Sequence, residues 1–241
     1  PQVTDIHSRD NAFVKELRRL SQDSTAYRKQ GQVWLEGDHL CRAALARGLA
    51  PKVAVFAESF WPRAPDEWAQ AASKVIVLAD ALFDEISSLE SPARMGYVMD
   101  WDASVQAQVG VATVVLDRVQ DAGNVGSILR SASAFGVKQI VALKGTAALW
   151  SQKVLRAGMG AHFGLYLVEA ASVEEVQSLQ VPLIVTSSHQ GTLIHEADLP
   201  WPCAWAMGHE GQGVGDALMD MAQHRISIAQ PGGEESLNVG A

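Results

Sequence analysis

The stretch Arg225-Ile226-Ser227-Ile228-Ala229-Gln230-Pro231-Gly232-Gly233-Glu234-Glu235-Ser236-Leu237-Asn238-Val239 decides the reading of this chain. A short β-run over 225–228 breaks at a Pro-Gly-Gly loop, whose glycines let backbone come close to whatever it faces. Ser236 then stands where a helix N-cap belongs. The order is strand, ligand-facing loop, helix.

Two upstream segments share this design. In the first, the apolar run 111–116 and a loop over 117–123 lead into Asn124-Val125-Gly126-Ser127-Ile128-Leu129-Arg130-Ser131-Ala132-Ser133-Ala134-Phe135-Gly136. Leu129, Ala132 and Phe135 recur at helical spacing, and Gly136 ends the helix. The second is Ala204-Trp205-Ala206-Met207-Gly208-His209-Glu210-Gly211-Gln212-Gly213-Val214, a buried-type strand opening into a loop with three glycines.

Around these segments the chain alternates. Strands are expected at 112–116, 138–143, 164–168, 182–186, 203–207 and 225–228. Helices are expected at 124–135, 150–158, 172–179, 214–221 and from 236 onward. Near-continuous apolar strands such as Val111-Ala112-Thr113-Val114-Val115-Leu116 suit a parallel sheet covered on both faces. In such sheets ligands bind outside the carboxyl ends of the strands, where all three segments fall.

A second alternation lies nearer the start: a helix from Asn11 to Leu20, a strand from Gln32 and a helix begun at Asp38. Strands at 52–56, 74–78 and 95–99 follow, with helices opened by Pro65-Asp66 and by Asp80 between them. This pattern predicts a separate α/β layer over 1–100. Residues 101–110 have no period and are expected to be a linker, leaving 111–241 as the second domain.

The chain has 241 residues, 48% of them hydrophobic and 19% charged, enough for two cores. No apolar run reaches the ~18 residues a membrane helix needs. No basic-then-apolar segment opens it, so a cytoplasmic protein is expected. Cys41 and Cys203 stand far apart without metal-like spacing, so neither a disulfide framework nor a metal site is expected. The net charge is −8, but residues 1–50 hold 8 Lys/Arg against 6 Asp/Glu. Arg9, Lys15, Arg18, Arg19, Arg28 and Lys29 therefore form the surface best suited to phosphate; the alternative is a solvated helix face.

The three segments together resemble the signature motifs of the SpoU (TrmH-type) branch of the SPOUT RNA methyltransferases. Asn124, Gly126, Arg130, Phe135 and Gly136 match the first motif. Gly208, Glu210 and Gly213 match the second, and Ser236, Leu237, Asn238 and Val239 the third. The resemblance implies a C-terminal α/β-knot domain, trefoil-knotted around a mostly parallel sheet, that binds S-adenosylmethionine and works as a homodimer. It also implies an N-terminal domain like ribosomal protein L30e that binds the RNA substrate. The implied reaction is methyl transfer to a ribose 2′-hydroxyl, with ribosomal RNA favoured over transfer RNA. A non-catalytic RNA-binding paralogue is the alternative. A dinucleotide-dependent dehydrogenase would want a Gly-x-Gly-x-x-Gly turn, which residues 117–126 do not offer.

Residue roles follow from the same resemblance. Gly208, Gly213, Ile228 and Leu237 are expected to contact the cofactor, with Thr186 contributing from the end of its strand. Arg130 is the residue the family assigns to activating the hydroxyl. A guanidinium with a pKa above about 12 is a poor base, so Arg130 is expected to grip a phosphate and stabilise developing alkoxide charge. Asn124 either caps its helix or holds the motif loop and ribose. Glu210 either orders the Gly-rich loop or pairs with Arg130. Ser236 and Asn238 complete the catalytic set. His209 is not specified by the motif. Lys153 and Arg156 are expected to face RNA or the dimer. Ile228-Ala229-Gln230-Pro231 departs from the family's usual Ile-Pro-Met. The helix begun at Ser236 is expected to run past Ala241, where relatives place a dimer-interface helix.

Overall fold

The computed structural model describes residues 1–187, 192–193 and 199–227. They form two compact units. One holds 1–103 with 150–163; the other holds 104–149 with the chain from 164 onward.

In the first unit, α1 (Ala12–Gln22) starts where Asn11 accepts the N–H groups of Phe13 at 2.8 Å and Val14 at 3.4 Å. Val14, Leu17 and Leu20 face inward at helical spacing; each contributes about 1.5–3 kcal/mol by leaving water. A second helix, α2, spans Ala26–Gln30. A mixed five-stranded sheet carries the unit, in the order β1 (Gln2–Ile6), β4 (Lys74–Leu78), β3 (Val53–Ala57), β5 (Met95–Asp100), β2 (Gln32–Glu36). Helices α3 (Asp38–Ala46), α4 (Asp66–Gln70) and α5 (Asp80–Ile86) connect its strands. Trp34, Phe56, Phe83 and Tyr97 are fully buried between these layers.

Two features of this unit correct the sequence reading. Strand β1 was not expected, because Gln2-Val3-Thr4-Asp5-Ile6 is a polar edge strand whose identity comes only from pairing with Lys74–Leu78. The expected basic surface is also partly spent. Arg9 and Arg18 both reach Glu85, at 3.0 and 3.6 Å. Lys15, Arg19 and Lys29 stay exposed, with no ion pair among the described residues.

The second unit is built on a seven-stranded sheet, parallel throughout. Its order is β10 (Thr192–Leu193), β12 (His224–Ser227), β9 (Leu183–Ser187), β11 (Ala204–Gly208), β6 (Thr113–Asp117), β7 (Gln139–Leu143), β8 (Tyr166–Ala171). All five residues of β6 are buried, as a strand covered on both faces requires. Helix α6 (Ala122–Ala134) buries Val125, Ile128, Leu129 and Ala132. Val176 of α8 (Val173–Gln177) and Leu218 of α9 (Asp216–Met221) join Val115, Val141, Val185 and Ala206 in a single core.

The strands run outward from β6 through β7 to β8, then resume on the other side of β6. The order therefore reverses between β6 and β11, the position where open α/β sheets form ligand crevices. Residues 104–110 are fastened to this unit. The fully buried Gln139 side chain accepts the Gln108 N–H at 2.7 Å and donates to Gln108 O at 3.1 Å and Thr113 Oγ1 at 2.9 Å. Helix α7 (Gln152–Gly158) belongs to the first unit, where Gln152 Nε2 donates to Trp34 O at 2.8 Å.

Candidate active site

The parallel register lines up the ends of four adjacent strands. Gly208 of β11 pairs with Asp117 of β6, and Thr186 of β9 pairs with Ile226 of β12. Of the expected cofactor residues, Thr186, Gly208 and Gly213 thus share one carboxyl-end edge. Ile228 follows β12 directly but, with Ser236, Leu237 and Asn238, lies outside the described residues.

Gly208 opens a tight loop. His209 and Gly213 exchange backbone hydrogen bonds at 3.1 and 2.8 Å. A methyl group on Gly208 would overlap the backbone of Gly213 and Val214, so only glycine permits this closure. Gly213 sits at φ +71°, where glycine is favoured. His209 serves the loop too: its Nδ1 accepts the N–H groups of Gly211 and Gln212, both at 3.0 Å.

Glu210 turns toward helix α6. Its carboxylate accepts the Asp121 N–H at 2.9 Å and the Gln120 N–H at 3.0 Å. Partial desolvation pushes its pKa up. The backbone N–H groups of Asp121, Glu210 itself and Gln120, with the nearby His209, outweigh that and hold the carboxyl below its ordinary value of 4.5. The negative charge also complements the helix N-terminus. Of the two roles open to Glu210, ordering the loop is the one the geometry displays.

The cap of α6 is Asp121, not Asn124. Asp121 Oδ1 accepts the Asn124 N–H at 2.8 Å, and the helix begins two residues earlier than expected, at Ala122. Asn124 lies in the first turn with its side chain unspent on capping. Arg130 is exposed and makes no hydrogen bond or ion pair with the described residues. At 1.5 Å per residue it stands about 13 Å along the helix from Asp121. Phe135, one residue past the helix, is 79% exposed.

Two residues at this edge went unnoticed in the sequence. Asp117, with an 8% exposed side chain, binds Arg118 Nε at 3.0 Å and accepts the Gly215 N–H at 2.6 Å. Arg118 adopts φ +61°, unusual for a residue with a side chain. Adjacent opposite charges are common, so Asp117-Arg118 alone gave no signal. Among the expected RNA- or dimer-facing residues, Arg156 donates to Ser88 Oγ at 2.9 Å, and Lys153 is exposed.

The edge has the chemistry to receive an adenosyl group: main-chain donors and acceptors beside small residues. Its ionised side chains, Asp117, Arg118 and Glu210, are all engaged within the protein. No group of three or more His, Cys, Asp or Glu among the described residues is arranged to hold a metal.

Residues 112–241 match the model of the SpoU rRNA Methylase family, and residues 11–95 match the MRM3-like substrate binding domain. An uncharacterized tRNA/rRNA methyltransferase of Synechocystis is 31% identical over 98% of this chain and 89% of its own length. The 23S rRNA (guanosine(2553)-2′-O)-methyltransferase of Bacillus subtilis is 28% identical over 97% of this chain and 94% of its own. The AdoMet-bound rRNA methyltransferase of Sinorhizobium meliloti superposes with a TM-score of 0.84 at 25% identity, covering 100% of this chain and 94% of that one. With more than half its length matched by the family model, the chain belongs to the SpoU rRNA methylase family.

Proposed function

We propose that this protein is an S-adenosylmethionine-dependent RNA methyltransferase that modifies a ribose 2′-hydroxyl of ribosomal RNA. The observation that carries this reading is the shared edge at which the Gly208–Gly213 loop, Thr186 and the start of α6 meet. The family and the names of the relatives support the same reaction.

S-adenosylmethionine, when bound, supplies an electrophilic methyl sulfonium. The backbone of Gly208 and Gly213 would hold the adenosyl group, with Thr186, Ile228 and Leu237 beside it. Glu210 keeps the loop docked on α6. Arg130 would grip a phosphate of the RNA and stabilise the oxygen as its proton leaves. A fork of donors preorganised around developing charge is worth more than the same donors in water. Asn124, Ser236 and Asn238 would orient the ribose so that its hydroxyl lies in line.

We assign a homodimer formed through the second unit. Arg130 stands about 13 Å along α6 from the Glu210 contact, too far to act at that edge of its own chain. A second copy covering the exposed Phe135 would bring the two together. We likewise assign a trefoil-knotted fold to the second unit, and RNA binding to the first unit, where Lys15 and Arg19 share one face of α1. No helix among the described residues is long and apolar enough to cross a membrane. We assign the protein to the cytoplasm, because the relatives that match it over nearly its whole length are from the bacteria Synechocystis and Bacillus subtilis.

The test is transfer of labelled methyl from S-adenosylmethionine to unmodified ribosomal RNA. Label recovered as a 2′-O-methylated nucleoside supports the reading; label on a base refutes it.

A further inference from the structure

We propose that Asp117 and Arg118 form a positioning clamp that holds the 209–215 loop in its cofactor-receiving shape. Arg118 would thereby set the affinity for S-adenosylmethionine without touching a reacting atom. The proposal rests on the reading above that this loop lines the cofactor.

The contacts converge from three parts of the chain. The Arg118 backbone is fixed first: its N–H donates to Thr146 Oγ1 at 3.1 Å, and that hydroxyl donates to Leu116 O at 3.1 Å. The guanidinium then divides its donors. Nε binds Asp117 Oδ1 at 3.0 Å, Nη1 binds Gln212 Oε1 at 3.0 Å, and Nη2 reaches Gly213 O at 3.4 Å. Asp117 Oδ2 holds the far side of the loop through the Gly215 N–H at 2.6 Å. The planar fork matters, since one ammonium cannot meet three acceptors spread this way.

The fit is close. A methyl group on Gly145 would come within 3.1 Å of Arg118 Cγ, and one on Gly215 within 3.1 Å of Asp117 Oδ2. The left-handed backbone at Arg118 works against a side chain there. Glycine would relax that backbone, so the arginine is present for what its side chain holds.

That conformation supplies a clean variant. Arg118→Gly removes the fork while easing the backbone, so the fold should survive. Hydrogen exchange in the ligand-free protein reads the loop directly, and titration with S-adenosylmethionine reads its consequence. We expect amides of 211–215 to exchange at least about tenfold faster in Arg118→Gly, because the charge-assisted bonds to Gln212 and Gly213 in the middle of the loop are both lost. The cofactor Kd should rise at least about tenfold, with KM for the cofactor rising more than kcat falls. Arg118→Lys, which keeps the Asp117 contact alone, should fall between.

Unchanged exchange in Arg118→Gly overturns the clamp. Faster exchange with unchanged cofactor affinity overturns its positioning role. Faster exchange in a protein whose wild type binds no S-adenosylmethionine refutes the cofactor reading and leaves the clamp standing.

Discussion

Glu210 and Asp121, 89 residues apart, are joined by a carboxylate-to-amide hydrogen bond of 2.9 Å, with Gln120 completing the grip. The loop after β11 is thereby tied to the N-cap of α6, just ahead of the segment that carries Asn124 and Arg130. Glu210→Ala removes both bonds and Glu210→Gln weakens them. Hydrogen bonds to a charged group contribute about 1.5–3 kcal/mol when sheltered, and less at this partly exposed position. We expect cofactor affinity to drop about tenfold in the alanine variant and less in the glutamine variant. Calorimetric titration checks this.

The same contact sets an acid limit. Glu210 has a folded-state pKa below its ordinary value of 4.5. Its contribution is therefore complete at pH above 4.5 and is lost as pH falls through the lowered value. Cofactor affinity measured downward from pH 6 should decline in that range. The variant Glu210→Gln should lack that part of the decline.

Asp121 and Asn124 separate stability from function. Asp121→Ala should destabilise the protein by about 1 kcal/mol through loss of the cap, while Asp121→Asn retains it. Asn124→Ala should change stability by no more than about 0.5 kcal/mol yet slow methyl transfer. Thermal melts and turnover on the same samples decide. A large melting change in Asn124→Ala would return it to a structural role.

On the first unit, Lys15 and Arg19 are exposed one turn apart on α1, whereas Arg9 is held by Glu85. The double variant Lys15→Gln/Arg19→Gln should weaken RNA binding and lower the salt dependence by about two phosphate contacts. The variant Arg9→Gln should do much less. Filter binding across salt concentrations measures both.

Much of this arrangement is legible in the chain. The apolar runs of 112–116 and 203–207 announce buried parallel strands, and their glycine-bearing loops mark the functional edge. The sequence signal fails where identity depends on partners far away. Gln2–Ile6 looks polar and becomes a strand only against Lys74–Leu78. Asp121 precedes the motif that draws attention, so Asn124 is taken as the start of α6. Arg118 reveals nothing until its φ of +61° and its bonds to Gln212 and Gly213 are seen. Ile228, Ser236, Leu237 and Asn238 remain assigned by resemblance alone, since they lie outside the described residues.

The most direct measurement compares wild type, Arg130→Ala and Arg130→Lys in transferring labelled methyl to unmodified ribosomal and transfer RNA. We expect ribose-linked label in ribosomal RNA with wild type and a loss of at least about a hundredfold in both variants, because alanine has no charge and a lysine point charge lacks the fork that binds phosphate. Arg130→Lys at near wild-type rate, or label that survives in Arg130→Ala, would contradict it.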